Sequence, residues 1–234
     1  MGTPGSTRPY DRGVARQTAK KTAVPKRSKK PGSRPAASDA TGSKSARTRE
    51  RILDAAAHVL SRKGYAGTRL ADVAEQAEVQ APAIYYYYSS REDLIEAVMH
   101  AGIAHMREHV EKVLEELPST DPLDRILAAV EAHLRFELEI SDYTSAAVRN
   151  QGQVPAELRV RYDEEREKYG AMWAGMMDEA LAKKTLRKSL DPRLAQGLVL
   201  GAINWTPEWW DPQRGSIDVL VANARDLVRH GLSA

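Results

Sequence analysis

The fold is decided by the stretch TRLADVAEQAEVQAPAIYYYY, which spans residues 68–88. In its first half the apolar residues recur at helical spacing, so they form one buried side of a helix. These residues are Leu70, Val73, Ala74 and Ala77. Residues 78–80 make a short connection, and a second helix begins near Ala81 with Pro82 in its first turn, where the absent N–H has no helical partner to lose. Ile84 then points back toward the first helix. Two short helices joined by a three-residue turn predict a helix-turn-helix.

A longer helix is expected before this pair, over about residues 45–63. One apolar stripe follows its length: Ile52, Leu53, Ala56, Val59 and Leu60. Gly64 is the expected stop, because glycine readily adopts the left-handed conformation that ends helices. Thr68 is the expected N-cap of the second helix. Three helices in this order predict a small helical domain over residues 45–92.

Four consecutive tyrosines, Tyr85 to Tyr88, end the stretch. On a helix they point around nearly the whole circumference, so at least two of them must be exposed. An exposed phenol can donate to a phosphate oxygen or pack on a thymine methyl group. The residues expected at the outer front of this helix are Gln80, Ala81, Ala83, Tyr86 and Tyr87, which suit a DNA major groove. The pattern indicates double-stranded DNA as a partner, with a tyrosine-rich surface turn as the alternative.

The N-terminal segment, residues 1–44, is strongly basic. It holds eleven Lys or Arg and two acids, Asp11 and Asp39, so it carries +9 while the rest of the chain carries −6 of the total +3. Because it is rich in Pro, Gly, Ser and Thr and poor in large apolar residues, we expect it to be disordered. Such a tail attracts phosphates without reading sequence. The alternative is a solvated extension with no specific role.

The composition argues against several functional classes. A chain without cysteine has no disulfide, thiolate metal site or cysteine nucleophile. It has no run of eighteen apolar residues and no secretory signal, so we expect a cytoplasmic protein with no membrane partner. His105 and His109 are four residues apart, but no further ligand is identifiable, so we expect no metal and no cofactor. Catalytic signatures are absent from the sequence, which leaves an enzyme as an alternative only, beside a basic architectural DNA-binding protein.

From residue 91 onward the pattern stays helical. The expected helices cover residues 91–116, 122–140, 143–152, 155–184, 191–206 and 216–231. Asp121, Asp191 and Ser216 are the expected caps, and the two aspartates each precede a first-turn proline. With the first three, this makes about nine helices, an all-α fold.

The sequence resembles the TetR family of transcriptional regulators. The motifs that carry the resemblance are GYAGT at 64–68, ADVA at 71–74, IYYYY at 84–88 and SREDL at 90–94. The resemblance implies a helix-turn-helix domain followed by a helical ligand-binding and dimerisation domain, residues 93–234. Glu78, Gln80 and Pro82 depart from the family pattern, which commonly has glycine, Ser or Thr, and glycine at these positions. These departures affect the expected base preference and leave the expected fold unchanged.

The resemblance also implies roles for single residues. Tyr85 and Arg91 would contact phosphates, and Thr68 would lie near the DNA backbone. The residues expected to face the groove are Ala81, Ala83, Tyr86 and Tyr87, with Gln80 at its edge. Because few of these can bond a base edge, DNA shape and methyl contacts are expected to carry much of the specificity.

The last two expected helices carry apolar residues on more than one face. These residues are Leu194, Leu198, Val199 and Ile203, then Ile217, Leu220, Val221, Leu227 and Val228. In a monomer, each of these helices would need only one apolar face, which packs on the core. The second apolar face therefore predicts a homodimer joined through a four-helix bundle, as the resemblance also implies. The alternative is deep burial within one chain. A two-fold dimer would read an inverted repeat, with its recognition helices about 34–36 Å apart.

Five aromatic residues and one asparagine are expected to line an effector pocket in the C-terminal part. The candidates are Phe136, Tyr169, Trp173, Asn204, Trp205 and Trp209. The alternative is ordinary core or dimer interface, which we favour for Met172 and Met176. The segment NWTPEWWDP, residues 204–212, resembles one found in family members that sense acyl-CoA thioesters.

Two positions of this segment are acids where those family members have arginine. Glu208 and Asp211 would repel the phosphates of coenzyme A. The cations that could replace the arginines are Arg149, Arg159, Arg161, Arg166 and Arg214. The expected function is a homodimeric repressor released from its operator by a small ligand that is apolar, aromatic or an acyl-CoA. The helix over residues 91–116 links the two parts and is the expected lever.

Overall fold

The computed structural model describes the backbone of residues 37–213 and 215–234, and the side chains from residue 44 onward except those of residues 140 and 214. The predictions about residues 1–36 and Arg214 therefore lie outside the described residues. The helices are α1 (Ala37–Gly67), α2 (Leu70–Gln76), α3 (Ala81–Tyr87), α4 (Arg91–Glu116), α5 (Pro122–Arg135), α6 (Asp142–Asn150), α7 (Val160–Ala182), α8 (Pro192–Asn204), α9 (Thr206–Trp209) and α10 (Ile217–Leu232). Within this part of the chain the predicted all-α fold is confirmed.

The first helix is longer than predicted. It begins at Ala37, whereas the sequence placed its start near residue 45 and assigned residues 37–44 to a disordered tail. Once a helix has nucleated, each added residue gains a backbone hydrogen bond without a new nucleation step, so a polar segment can extend it. The apolar stripe that predicted the helix therefore marks its packed part and not its beginning.

Gly64 interrupts α1 as predicted. Its φ of 68° and ψ of 175° are non-helical, and one further turn follows before the helix ends. The prediction that Thr68 caps α2 is wrong, since the N-cap is Arg69 and makes no side-chain capping bond. The hydroxyl of Thr68 instead donates to the carbonyl oxygen of Gly64 at 2.8 Å. Thr68 therefore stabilises the end of α1, because its backbone N–H also donates to the Gly64 carbonyl oxygen, at 3.1 Å.

The caps predicted further along the chain are confirmed. Asp121, Asp191 and Ser216 each accept a hydrogen bond from a backbone N–H in the first turn of α5, α8 and α10. Two helix boundaries are wrong. The α-helix predicted over 122–140 ends at Arg135 and continues as a π-helical turn, Phe136–Ile140, and α7 begins at Val160 after a short 3-10 turn.

Two apolar cores are joined by α4. The first core gathers α1, α2, α3, the first half of α4, and α6, and the second gathers α5, α7, α8, α10 and the second half of α4. The helices α4 and α6 cross closely, because a Cβ at Gly102 would lie 2.5 Å from the carbonyl oxygen of Tyr143. Since α4 contributes to both cores, a shift of this helix would disturb the packing of both.

No described helix is both long and apolar enough to cross a membrane.

Candidate DNA-binding face and effector cavities

One side of α3 is packed and the other is open. Ile84 is fully buried, and Tyr88, which follows the helix, is also buried. Burial raises the pKa of the Tyr88 phenol, and the guanidinium of Arg49 lies 5.2 Å from the centre of its ring. Tyr85 and Tyr86 are 60% and 80% exposed. The prediction that at least two of the four tyrosines are exposed is therefore confirmed.

Four further residues predicted to face DNA belong to α3 or its N-cap. Gln80 and Ala81 are exposed, and Ala83 and Tyr87 are half-buried. The rings of Tyr86 and Tyr87 meet edge to face with centroids 4.9 Å apart, which holds the two phenols together. We call the surface formed by these small groups and phenols, together with Tyr85, the α3 face. Its role in DNA binding remains a prediction.

The turn that precedes α3 is shaped by a residue in the left-handed region. Glu78 has a φ of 53°, a conformation that glycine adopts most easily and that other residues adopt at some strain. This is the position at which the family pattern commonly has glycine. The turn therefore keeps the backbone geometry of a helix-turn-helix despite the substitution.

Arg91 is engaged within the chain. Its Nε donates to the carbonyl oxygen of Thr68 at 2.7 Å, and a second nitrogen donates to the carbonyl oxygen of Tyr65. A third contacts the carboxylate of Glu92 at 2.9 Å, and the guanidinium packs 4.6 Å from the centre of the Tyr65 ring. Thr68 is itself buried. Arg91 therefore ties the start of α4 to the end of α1, a role that the sequence did not reveal.

The structure does not bring the predicted effector residues into one pocket. Tyr169 and Trp173 lie in the second core, with rings edge to face at 6.2 Å, and Phe136 is buried against His109. Asn204 and Trp205 line a small cavity, whereas Trp209 lines an apolar groove between α8 and α10. The predicted residues thus divide among a core, a cavity and a groove.

The small cavity, which we call the Trp205 cavity, has a volume of about 170 Å³. It is lined by Glu137, Ser145, Val148, Arg149, Asn204, Trp205, Pro207 and Glu208. Arg149 donates to Glu208 at 2.7 Å and to the carbonyl oxygen of Pro207 at 3.0 Å. Glu208, the acid that stands where the similar family members have arginine, is therefore paired with Arg149, one of the cations predicted to replace those arginines.

The other described arginines that were predicted to replace the missing cations contact residues away from this cavity. Arg161 pairs with Glu96, and Arg166 lies 3.4 Å from Asp163 on its own helix. Arg159 donates to a backbone carbonyl at 2.6 Å. Of the described candidates, only Arg149 lines the Trp205 cavity.

A larger cavity, which we call the α4–α5 cavity, was missed by sequence reasoning. Its volume is about 620 Å³, within the usual range for small-molecule pockets. Apolar residues of its wall are Val113, Leu117, Ala128 and Ala132, and polar ones are His109, Ser119, Asp124, Glu131, Arg135, Glu139 and Arg225. Arg135 and Arg225 both contact Glu131. Arg135 also contacts Glu139 and Asp218, so the cavity combines an apolar wall with two arginines that are already paired with acids.

His109 is one of the residues that line this cavity. Its ring stacks on Phe136 with centroids 4.7 Å apart. Burial lowers the pKa of this imidazole, and the nearby charge of Lys112 lowers it further. His109 therefore favours its neutral form, which suits an apolar chamber.

Two buried polar residues on α5 and the π-helical turn were also missed. Nδ1 of His133 lies 2.9 Å from the hydroxyl of Tyr169, and Nε2 lies 3.4 Å from a carboxylate oxygen of Glu137. Both His133 and Glu137 are buried. The signal in the sequence was a pair of polar residues four positions apart on the apolar side of a predicted helix. Burying such groups costs free energy unless they find hydrogen-bond partners, so the pair is unusual in an ordinary core.

The apolar residues predicted for a second face of α8 and α10 are exposed. Leu194, Leu198 and Leu227 are 70%, 75% and 74% exposed, whereas Val199 and Val221 on the inner sides are buried. The alternative that both faces are buried within one chain is therefore wrong. Among the described residues, no group of three or more His, Asp or Glu is placed to hold a metal ion.

Comparison with known proteins identifies the family. Residues 52–98 match the model of bacterial regulatory proteins of the tetR family, and residues 119–232 match a tetracyclin repressor-like C-terminal domain. The fatty acid metabolism regulator protein of Bacillus subtilis is 26% identical over 185 residues, which cover 77% of this chain and 93% of that protein.

Two solved structures share the fold. AibR in complex with isovaleryl coenzyme A and operator DNA superposes with a TM-score of 0.70 at 20% identity, over 77% of this chain and 97% of that one. FadR of Bacillus subtilis in complex with stearoyl-CoA gives 0.65 at 21% identity, over 78% and 98%. These matched families and relatives are regulators, which confirms the expectation of a regulator and not an enzyme. The chain belongs to the TetR family of bacterial regulatory proteins.

Proposed function

We propose that this protein is a homodimeric repressor that binds an inverted-repeat operator and is released from it by an acyl thioester. The observation that carries the DNA-binding part is the α3 face, where Tyr85 and Tyr86 are exposed while Ile84 anchors the helix from behind. A rigidly held helix with an open outer side is what insertion into a major groove requires. Because its target is DNA, we place the protein in the cytoplasm.

The dimer is supported by the exposed apolar side of α8. Leu194 and Leu198 are accompanied there by Gly197 and Gly201, at which an added Cβ would meet nothing within 4 Å apart from the adjoining backbone of α8 itself. Glycines leave shallow places into which side chains of a partner helix can pack, and a patch this apolar is unusual on a monomer. Two copies joined through α8 and α10 would present their α3 faces about 34–36 Å apart, as successive major grooves require.

The ligand class is supported by the α4–α5 cavity. Its apolar wall fits an acyl chain. The phosphates of coenzyme A would have to replace Glu131 at Arg135 and Arg225, and Arg135 would also have to leave Asp218 and Glu139. Because Asp124, Glu131 and Glu139 line the same cavity, the acyl chain is the part of the ligand that the cavity supports best. The relatives AibR and FadR were each crystallised with an acyl-CoA. An acyl-CoA would release DNA only by favouring a dimer in which the α3 faces are wrongly spaced.

The DNA-binding proposal is tested with genomic fragments selected on the purified protein. Tyr86→Glu should weaken binding to a selected fragment at least about tenfold, because its carboxylate would face the phosphates of the groove. The matched control is Ala171→Glu, which adds the same charge at an exposed position on α7. Equal affinities of the two variants would refute the α3 face as the reading surface, and binding without sequence preference would favour an architectural protein.

The ligand proposal is tested by following release of the labelled fragment with isovaleryl-CoA and stearoyl-CoA. At least one thioester should lower DNA affinity, and Arg225→Ala should raise the concentration that is needed. Arg166→Ala is the control, since Arg166 is exposed and pairs with Asp163 of its own helix, away from the residues that line this cavity. If neither thioester alters DNA affinity, the acyl-CoA assignment fails while the DNA-binding assignment stands.

A further inference from the structure

His109 is the one histidine among the described residues that line the α4–α5 cavity. Its side chain is half-buried, and it makes no hydrogen bond or ion pair with the described part of the chain. Neither ring nitrogen is closed off from solvent. The wall of the cavity therefore carries a polar group that is accessible to a ligand and has no hydrogen-bond partner in the chain itself.

The ring of His109 is held in place and is uncharged. It stacks on Phe136 with centroids 4.7 Å apart and an angle of 29° between the ring planes. Because burial and the charge of Lys112 lower the pKa of the imidazole, the ring is neutral at about pH 7. A neutral imidazole has one N–H donor and one acceptor nitrogen. Since both nitrogens are accessible, a donor is available to a ligand in either tautomer.

The apolar residues of the cavity wall continue along α4 from His109. Val113 and Leu117 follow at intervals of four residues, which places all three side chains on one side of the helix. At about 1.5 Å of rise per residue they span about 12 Å of α4. Ala128 and Ala132 of α5 line the same cavity. One neutral donor followed by an apolar strip fits a ligand that has a polar head and an alkyl tail.

We propose that His109 recognises the acyl carbonyl of the effector, so that its imidazole N–H donates to the carbonyl oxygen while the alkyl chain lies along Val113 and Leu117. This inference rests on the proposed function, since it assigns the residue that selects an acyl group in the same cavity. A site that pairs one polar group discriminates against analogues without that group more sharply than an apolar pocket does.

The charges of the lining determine which carbonyl compounds are accepted. The charged residues are Asp124, Glu131, Glu139, Arg135 and Arg225, so three negative charges accompany two positive ones. Both arginines already contact Glu131. A free carboxylate would add to this negative excess, which is unfavourable in a partly enclosed space. Thioesters, which carry an uncharged carbonyl, are therefore accepted, whereas free acids of the same chain length are disfavoured.

The test uses two probes that differ only in the carbonyl oxygen, S-ethyl hexanethioate and ethyl hexyl sulfide, with hexanoate as the charged analogue. Isothermal titration calorimetry gives their dissociation constants. The wild-type protein should bind the thioester about three- to tenfold more tightly than the sulfide, the ratio expected for one net hydrogen bond. Hexanoate should bind more weakly than the thioester. Because these comparisons are made within one protein, they do not depend on the folding of any variant.

The variants then assign the selectivity to one residue. His109→Phe removes the donor and keeps a ring that can stack on Phe136. In this variant the sulfide should bind at least as tightly as the thioester, because a carbonyl that is buried without a donor costs free energy. His105→Phe is the matched control, since His105 is exposed on the same helix and does not line the cavity. It should keep the wild-type ratio of affinities.

Equal affinities of the wild type for thioester and sulfide would overturn the proposal, as would binding of neither compound. So would a preference for the thioester that survives in His109→Phe, which would mean that another group donates to the carbonyl. None of these measurements involves DNA or coenzyme A. The proposed function fails if acyl-CoA does not release DNA, whereas this inference fails if the carbonyl makes no difference to binding, so the two failures are distinguishable.

Discussion

The side-chain oxygen of Asn150 accepts a hydrogen bond at 2.7 Å from the backbone N–H of Tyr65. The amide nitrogen of the same residue donates to the carbonyl oxygens of Ala146, on its own helix, and Leu60, on α1. Asn150 is fully buried at the end of α6, and it holds α1 on both sides of the break at Gly64. A residue of the C-terminal part thereby fixes the helix that carries the helix-turn-helix.

Other residues of α6 reinforce this connection. At its start the hydroxyl of Tyr143 donates to Asp54 at 2.6 Å, and Asp142 lies 2.9 Å from the ring of His58. At its end Arg149 joins the Trp205 cavity to α1. The sequence predicted α4 as the lever between ligand and DNA, and the contacts of α6 offer a second route.

Asn150→Ala should both destabilise the protein and weaken DNA binding. Removing the amide leaves the Tyr65 N–H and the Leu60 carbonyl without these partners, a loss of about 1–3 kcal/mol for buried groups. Chemical denaturation should give that decrease in the free energy of unfolding, and the affinity for a selected DNA fragment should fall under conditions where the variant is fully folded. Gln153→Ala, an exposed amide three residues away, should change neither quantity. Wild-type DNA affinity in folded Asn150→Ala would argue against α6 as a route to the DNA-binding domain.

Arg91→Ala should show whether this guanidinium is a phosphate contact, a brace, or both. As a brace it satisfies the carbonyl oxygens of Tyr65 and Thr68, so its loss should lower stability by about 1–3 kcal/mol. If it also contacts a phosphate, the slope of log affinity against log salt should fall by about 0.9. Arg91→Lys keeps the positive charge and loses the forked geometry of the guanidinium. Its salt slope should therefore be close to that of the wild type, while its free energy of unfolding should stay lower. An unchanged slope in folded Arg91→Ala would restrict the residue to bracing.

The helices, the break at Gly64 and most caps were predictable because their signals are local. Periodicity, a glycine and an aspartate before proline act within a few residues of where they stand. The roles of Arg91 and Asn150 were not predictable, because each depends on partners contributed by distant parts of the chain. For the same reason the sequence did not show that the predicted effector residues divide among a core, a cavity and a groove. Aromatic residues predicted a pocket but served as core at Tyr169 and Trp173.

Gly102→Ala should destabilise the crossing of α4 and α6. The added Cβ would lie 2.5 Å from the carbonyl oxygen and 2.9 Å from the carbonyl carbon of Tyr143, which are backbone atoms and cannot rotate away. We expect a loss of about 1–3 kcal/mol in the free energy of unfolding, despite the better helix propensity of alanine. Gly175→Ala, on α7 with nothing within 4 Å, should instead be neutral or stabilising. Thermal unfolding of the two variants measures the difference, and equal melting temperatures would contradict the close crossing.

Leu198→Glu should convert the protein to a monomer. Leu198 is 75% exposed in the single chain, so a carboxylate there is harmless to the fold but would be buried unpaired at the proposed dimer interface. Sedimentation velocity should give the mass of one chain, and affinity for an inverted repeat should collapse toward that for a half-site. Leu181→Glu, which places the same charge at an exposed leucine of α7, should remain a dimer. A dimeric Leu198→Glu protein would place the interface elsewhere.

His109 should make stability depend on pH in a predictable direction. Burial, with a further contribution from Lys112, lowers the pKa of its imidazole in the folded protein, whereas in the unfolded chain the pKa is about 6.5. Its contribution to stability is therefore fully present above about pH 6.5 and is lost as the pH falls through the lower folded value, because the unfolded chain takes up the proton first. His109→Phe should remove this part of the acid destabilisation while keeping the stacking on Phe136. His105→Phe, an exposed histidine on the same helix, is the control and should keep the wild-type pH dependence. Chemical denaturation of the wild type and both variants at pH 7.5 and pH 5.5 tests this prediction. If all three proteins lost the same free energy of unfolding between the two pH values, the fold would not lower the pKa of His109.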